Sequence, residues 1–218
     1  MKTIFHVLRQ SDKDSAPYWE DFDYETEGEA DTVATALMRL PVQWDCSCLQ
    51  KKCGACAMVI NGVPALACDT MLARLKGTMV TLEPLRKFPT VADLRVDRSS
   101  MEERLRQFRI YREGTADHGA DATVLEAGGC MQCGLCLEVC PNYYPGAEFG
   151  GMAAMNPAVR VMNGTEGKHL KSLRRSYVKT VYDGCGKSLA CRDICPAGVN
   201  IEKLMTEANH DLRKSRAI

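Results

Sequence analysis

Four cysteines at fixed spacing give the chain its clearest chemistry: Cys130, Cys133, Cys136 and Cys140, the last followed by Pro141. In a C-x2-C-x2-C-x3-C-P run, three thiolates hold one iron–sulfur cubane and the fourth binds a different cluster. A structural zinc ion would instead favour paired C-x2-C units that close four thiolates on one tetrahedron. The stretch therefore predicts an iron–sulfur cluster and requires a second cysteine group elsewhere.

The second group is Cys185, Cys191 and Cys195, again with a proline after the last cysteine. By the same logic, a four-iron cubane takes the first three thiolates of the run and the last one of this group. The other cluster then has three thiolates, since Ser188 stands where a further ligand is expected, and a [3Fe–4S] cluster needs only three. A [4Fe–4S] centre with the Ser188 oxygen or water on the fourth iron is the alternative. The assignment is Cys130, Cys133, Cys136 and Cys195 for [4Fe–4S], and Cys140, Cys185 and Cys191 for [3Fe–4S].

A third group has the plant-type [2Fe–2S] spacing C-x4-C-x2-C followed by a distant cysteine. Its members are Cys48, Cys53, Cys56 and Cys68. Gly54 allows the backbone to pass close to the sulfides, whose negative charge backbone N–H groups can offset. Asn61-Gly62 between two apolar runs predicts a hairpin that returns the chain to the last ligand. Cys46 is left over and is expected to be a free thiol.

The elements around the third group predict a β-grasp domain. Residues 3–10 and 17–24 are rich in β-formers, and apolar residues at helical spacing follow in residues 32–40, with Asp31 or Thr32 as a possible N-cap. Residues 78–82 are expected to close the domain as a strand.

The rest of the chain is predicted to be mainly helical. A charged helix is expected from Ser99 to Tyr111, a basic amphipathic one from Lys168 to Lys179, and a last one from Asn200 to Arg213. The predicted fold class is therefore α+β. We expect a β-grasp [2Fe–2S] domain over residues 1–97 and an α-helical ferredoxin domain with the [4Fe–4S] and [3Fe–4S] clusters over residues 98–218.

Composition excludes several functional classes. The 218 residues contain 28 basic and 28 acidic side chains, so no nucleic-acid footprint is visible. Twelve cysteines are many, but they lie in tight groups rather than as spread disulfide partners. No secretory signal and no run of roughly 20 apolar residues is seen. A reduced cytosolic compartment is expected, with any membrane attachment made through a partner.

Four stretches resemble the iron–sulfur subunit of succinate dehydrogenase and quinol:fumarate reductase: residues 47–68, 81–97, 130–141 and 185–196. The resemblance implies an oxidoreductase complex in which this chain relays electrons through three clusters. It implies an FAD-containing flavoprotein subunit at one end, and quinone at a cytochrome b-type membrane anchor at the other. The complex would lie on the cytoplasmic side of the cell membrane. No catalytic residue is expected in this chain, since dicarboxylate chemistry would belong to the flavoprotein.

Two other functions stay open at this point. The segment 142–150 departs from the family pattern, which allows a homologous reductase with another substrate or with a thiol or disulfide electron partner. The other function is that of a free soluble ferredoxin that diffuses between partners, although the zero net charge of this chain would steer it only weakly toward a charged partner. Neither the direction of electron flow nor the quinone type is encoded in these motifs.

Overall fold

The computed structural model describes residues 2–107, 122–163 and 165–216. The contacts divide the chain into two units. The first comprises residues 1–98 together with 131–138, and the second comprises residues 99–130 and 139–218. The limit at residues 97/98 stays a prediction, since the short cysteine-bearing segment 131–138 groups with the first unit.

The first unit is built on β-strands. They are β1 Lys2–Arg9, β2 Tyr18–Glu25, β3 Ala57–Ile60, β4 Val63–Leu66, β5 Met79–Glu83, β6 Thr90–Ala92 and β7 Arg95–Val96. The first five form a mixed sheet of order β2-β1-β5-β3-β4, in which β1 and β5 are parallel and the other neighbours antiparallel. A separate antiparallel pair, β6 and β7, follows.

The hairpin between β3 and β4 turns at Asn61 and Gly62, with φ of 49° and 78°. Both angles are in the left-handed region that a two-residue hairpin turn requires, and Asn and Gly adopt it at low cost. The predicted hairpin is confirmed. Because β3 and β4 are antiparallel, the hairpin returns the chain from Cys56 to Cys68 at the same end of this strand pair.

One short helix, α1 Val33–Leu37, follows β2. Thr32 is its N-cap: the Thr32 hydroxyl accepts from the Thr35 amide, and the Thr35 hydroxyl caps the Thr32 amide in return. Its apolar residues are buried, as are Phe5 and Val7 of β1 at 0% exposure. The predicted β-grasp opening of strand, strand and helix is therefore confirmed.

The segment 131–138 contributes a single turn of helix, α4 Leu135–Glu138, to the first unit. Glu138 is buried, and its carboxylate accepts from the backbone amides of Arg86 and Lys87 at 3.1 and 3.0 Å. These two charge-assisted bonds fasten the segment to the turn that follows β5.

The second unit is helical. Its elements are α2 Ser99–Gln107, α3 Ala122–Gly128, α5 Gly151–Met162, α6 Gly167–Tyr177, α7 Ala190–Asp193 and α8 Ile201–Arg216, with a π-helical turn over Val178–Tyr182. Small and medium residues of α5 form its centre, including Ala153, Ala154 and Ala158. The helices α2, α3, α6 and α8 contact α5, as does the π-helical turn, and the small side chains of α5 permit this close packing. Residues 108–111 of the predicted charged helix lie outside the described ranges.

The α+β class and the order of a sheet-based unit before a helical one agree with the prediction. Within the described ranges, every helix is too short or too polar to span a bilayer.

Candidate functional site

The first cysteine loop, residues 48–56, is shaped by left-handed backbone. Leu49, Lys51 and Gly54 have φ of 53°, 59° and 71°. Left-handed residues alternating with ordinary ones turn successive N–H groups toward one side of a loop, which creates a pocket for negative charge. The left-handed residues therefore give this loop the form of such a pocket.

The N–H groups of this loop point at sulfur. Cys48 Sγ accepts from two amides, and Cys68 Sγ and Cys53 Sγ from one each. The donors are Gln50 N and Lys52 N, each 3.3 Å from Cys48 Sγ, Lys51 N, 3.4 Å from Cys68 Sγ, and Ala55 N, 3.5 Å from Cys53 Sγ. These contacts stabilise thiolates, the form that binds iron.

The four sulfurs lie close together, because Cys48 lies beside Cys53, Cys56 lies beside Cys68, and Cys53 is also near enough to act on Cys56. The amides of Gln50 and Lys52 lower the pKa of Cys48 to about 7. Burial, in contrast, raises the pKa of Cys56 to about 12. The structure thus brings together Cys48, Cys53, Cys56 and Cys68.

This donor set fits a [2Fe–2S] cluster: four thiolates in one loop-and-hairpin pocket, with backbone donors around the sulfurs. When bound, such a cluster accepts and gives up one electron. Within the described residues, no three Cys, His, Asp or Glu side chains are placed to hold a single metal ion. Cluster thiolates are spread over more than one iron atom and are not expected to meet that arrangement. Cys46 is exposed and stands outside the set.

Cys133 packs directly on this first loop. A Cβ built on Gly54 would lie 2.5 Å from the Cβ of Cys133, closer than real side chains approach. Gly54 is thus required twice, by its positive φ and by its neighbour. A predicted ligand of the [4Fe–4S] cluster therefore touches the backbone of the [2Fe–2S] loop.

The predicted [4Fe–4S] ligands are divided between the two units. Cys133 and Cys136 belong to the first unit, and Cys130 and Cys195 to the second. The four-thiolate set stays a prediction.

The last three predicted ligands come together inside the second unit. Burial, together with the nearby thiols of Cys140 and Cys185, raises the pKa of Cys191 to about 11. The Asn142 side chain donates to the Gly184 carbonyl at 2.7 Å and ties the residues after the first thiol to those before the second. Three sulfurs in one place fit a three-iron cluster.

Tyr177 forms a wall of this second site. It is 1% exposed, its hydroxyl donates to Asn209 Oδ1 at 3.3 Å, and its pKa is raised by burial and by the nearby Cys185 thiol. Ser188 is exposed in the loop between Cys185 and Cys191, where Lys187 and Leu189 have positive φ.

Sequence reasoning missed three residues at these sites: Arg98, Glu138 and Tyr177. Arg98 donates to the carbonyls of Gly54 and Ala55 in the first loop and of Ala57 at the start of β3. Arg98 is far from that loop in sequence, and no local motif marks such a contact. Glu138 lies between two cysteines of a cluster run, where a buried carboxylate has no pattern of its own.

Two sequence families match the chain. A "2Fe-2S iron-sulfur cluster binding domain" covers residues 4–103, and a "4Fe-4S dicluster domain" covers residues 126–199. The succinate dehydrogenase iron–sulfur subunit of Bacillus subtilis (strain 168) is 33% identical over 96% of this chain and 92% of its own length. The chain belongs to the iron–sulfur subunits of succinate dehydrogenases and fumarate reductases.

Other relatives of this family agree. The fumarate reductase iron–sulfur subunit of Wolinella succinogenes is 27% identical over 86% of this chain and 87% of its own length. A chain of the Mycobacterium smegmatis Sdh1 complex in the apo form has the same fold, with a TM-score of 0.78, 21% identity, and coverage of 100% of this chain and 98% of that one. The chain is thus an electron-transfer subunit of an oxidoreductase complex.

Proposed function

We propose that this subunit relays electrons through three clusters between the FAD of a flavoprotein subunit and quinone at a cytochrome b-type membrane anchor. The observation that carries the proposal is the convergence of four thiols in the first unit and three in the second, in a chain related over nearly its whole length to such subunits. No catalytic acid, base or nucleophile is assigned to this chain. The complex would be attached to the cytoplasmic side of the membrane through the anchor.

The ligand assignment in this proposal is one thiolate set for each cluster. The [2Fe–2S] centre takes Cys48, Cys53, Cys56 and Cys68, and the [4Fe–4S] centre takes Cys130, Cys133, Cys136 and Cys195. The [3Fe–4S] centre takes Cys140, Cys185 and Cys191. The exposure of Ser188 favours three thiolates over a serine ligand.

The test is electron paramagnetic resonance of the purified native complex, oxidised and then reduced stepwise, with iron quantified. We expect a [3Fe–4S] signal in the oxidised state, and [2Fe–2S] and [4Fe–4S] signals on reduction. A second [4Fe–4S] spectrum in place of the oxidised-state signal would contradict the three-thiolate assignment.

The quinone end is tested separately by turnover. We expect reduction of a soluble quinone analogue coupled to succinate oxidation, or the reverse reaction with quinol and fumarate. A complex that lacks a membrane subunit and passes electrons only to a thiol or disulfide partner would contradict it.

A further inference from the structure

Arg98, at the end of segment 1–98 of the first unit, places a positive charge against the first cysteine loop, residues 48–56. Its Nη1 donates to the Gly54 carbonyl at 3.2 Å, and its Nη2 to the carbonyls of Ala55 at 2.9 Å and Ala57 at 3.4 Å. An arginine keeps its proton in proteins, so the charge is permanent. Arg98 is thus a fixed cation on the back of the loop.

This charge is incompletely neutralised. The hydrogen bonds of Arg98 go to carbonyl oxygens rather than to a carboxylate, and its buried Nε has no hydrogen-bond partner among the described residues. Burial lowers the pKa of Arg98, while Asp45 and the thiols of Cys133 and Cys56 act in the opposite direction. The carboxylate of Asp45 already accepts a hydrogen bond from Nε of Arg95 at 3.0 Å. A partly buried cation such as Arg98 interacts more strongly with a nearby charge than a fully solvated one does.

One peptide unit connects Arg98 to a cluster ligand. The peptide between Gly54 and Ala55 accepts from Arg98 at its oxygen and donates from its nitrogen to Cys53 Sγ at 3.5 Å. A cation on the carbonyl polarises the peptide and strengthens the N–H as a donor, because hydrogen bonds in a chain reinforce one another. The guanidinium therefore acts on the Cys53 sulfur through two hydrogen bonds of this peptide as well as through space.

We propose that Arg98 is a potential-setting residue of the [2Fe–2S] centre, whose charge raises the centre's reduction potential. This rests on the proposed function, since it needs the cluster on Cys48, Cys53, Cys56 and Cys68. Reduction adds one electron and one negative charge with no bond made or broken, and a nearby cation stabilises that charge. Hydrogen bonds to the sulfurs act in the same direction.

The test is a redox titration of the assembled complex, followed by electron paramagnetic resonance, with three variants. Arg98→Met removes the charge and keeps the apolar stem, Arg98→Lys keeps the charge but not the planar fork, and Arg74→Met removes a charge from an exposed position of the same unit. We expect Arg98→Met to move the reduction equilibrium of the [2Fe–2S] centre roughly tenfold toward the oxidised form, about 59 mV for one electron. Arg98→Lys should give less than half that shift, and Arg74→Met almost none.

Iron content and thermal unfolding separate this role from a structural one. Arg98→Met with full iron and an unchanged potential would overturn the proposal. If that variant does not assemble, Arg98→Gln replaces it: Gln and Lys both lose the fork, so equal potentials in the two would overturn the proposal as well. Absence of a [2Fe–2S] signal in the unsubstituted complex would instead refute the proposed function, and is seen before any variant is compared.

Discussion

The two thiol sets differ in what surrounds their sulfurs: the first combines an amide-lined thiol, Cys48, with a buried one, Cys56, whereas the second has a partly buried thiol, Cys191. In the first unit, Cys48 lies in a loop whose amides point at it, and its pKa falls to about 7. In the second unit, burial and the neighbouring thiols of Cys140 and Cys185 raise the pKa of Cys191 to about 11. Hydrogen bonds stabilise the charged form of a thiol, whereas burial disfavours it.

The two sites also differ in whether the backbone or the side chains form the surroundings of the thiols. At the first site the backbone is the main device, and it depends on left-handed residues such as Gly54 and Lys51. At the second site side chains define the surroundings: Tyr177 forms a wall, and Asn142 bonds the Gly184 carbonyl beside Cys185. Backbone changes should therefore damage the first site most, and packing changes the second.

The largest effect is expected from Gly54→Ala. The new Cβ would lie 2.5 Å from the Cβ of Cys133, at a φ of 71° that alanine avoids. Strain and overpacking together should cost on the order of 4 kcal/mol. We expect loss of the [2Fe–2S] signal and of iron, measured on the purified complex.

Gly62→Ala is the matched control for that substitution. Gly62 has a similar φ of 78°, but a Cβ there would have nothing within 4 Å. It should cost about 1 kcal/mol and leave the iron content unchanged. Equal damage from both variants would mean that backbone strain, rather than the contact with Cys133, makes Gly54 necessary.

A smaller loss of stability is expected from Asp93→Asn, because the Asp93 carboxylate holds the backbone at Gln43, which precedes the first loop. The Asp93 carboxylate is 2% exposed and accepts from Arg9 Nε at 2.9 Å and from the Gln43 amide at 2.8 Å. Removing one partner of a buried ion pair typically costs about 3 kcal/mol. Thermal unfolding at neutral pH should show this loss.

The same variant gives a pH test. Burial alone would raise the pKa of Asp93, but Arg9 and the amides of Gln43 and Gln10 outweigh it and lower the pKa below the usual 3.8. A lowered pKa stabilises the fold above pH 3.8 and loses that contribution as the pH falls through the folded-state value. The difference between Asp93→Asn and the unsubstituted protein should therefore shrink below pH 3.8. A constant difference would contradict the ionic role.

At the second site, the largest packing effect is expected from Gly184→Ala. Gly184 directly precedes Cys185, and a Cβ at Gly184 would lie 2.5 Å from the ring of the buried Phe149. Displacing that ring should cost about 2 kcal/mol and weaken the signal of the cluster on Cys185, while the [2Fe–2S] signal stays. Gly128→Ala, where nothing lies within 4 Å, is the control in the same unit. Loss of both signals would show that the two sites are not independent.

The sequence predicts the first site well, because its rules are local. The Asn61-Gly62 turn and the cysteine spacing depend on neighbours along the chain, and the hairpin and the sulfur set follow from them. Strand limits of β1 and β2 differ from the expected ones by a single residue at each end.

The contacts that support the sites could not be predicted in this way. Arg98 reaches Gly54 across 44 positions of sequence, and Glu138 reaches Arg86 across 52. Such contacts are decided by tertiary packing, which leaves no period or spacing in the chain. The grouping of residues 131–138 with the first unit has the same origin, since Gly54 leaves room for Cys133 and Gly134 leaves room for the Phe88 ring.

The smallest effect is expected from Asn142→Ala. Its amide donates to the Gly184 carbonyl from an exposed position, and one such hydrogen bond contributes about 1 kcal/mol. We expect almost unchanged thermal unfolding but a broader signal from the cluster on Cys140 and Cys185, because the bond joins the segments that carry them. Asn163→Ala, an exposed asparagine of the same unit, should leave the signal as it is. An unchanged signal in Asn142→Ala would mean that burial alone holds the second site, and the contrast with the amide-lined first loop would then be sharper.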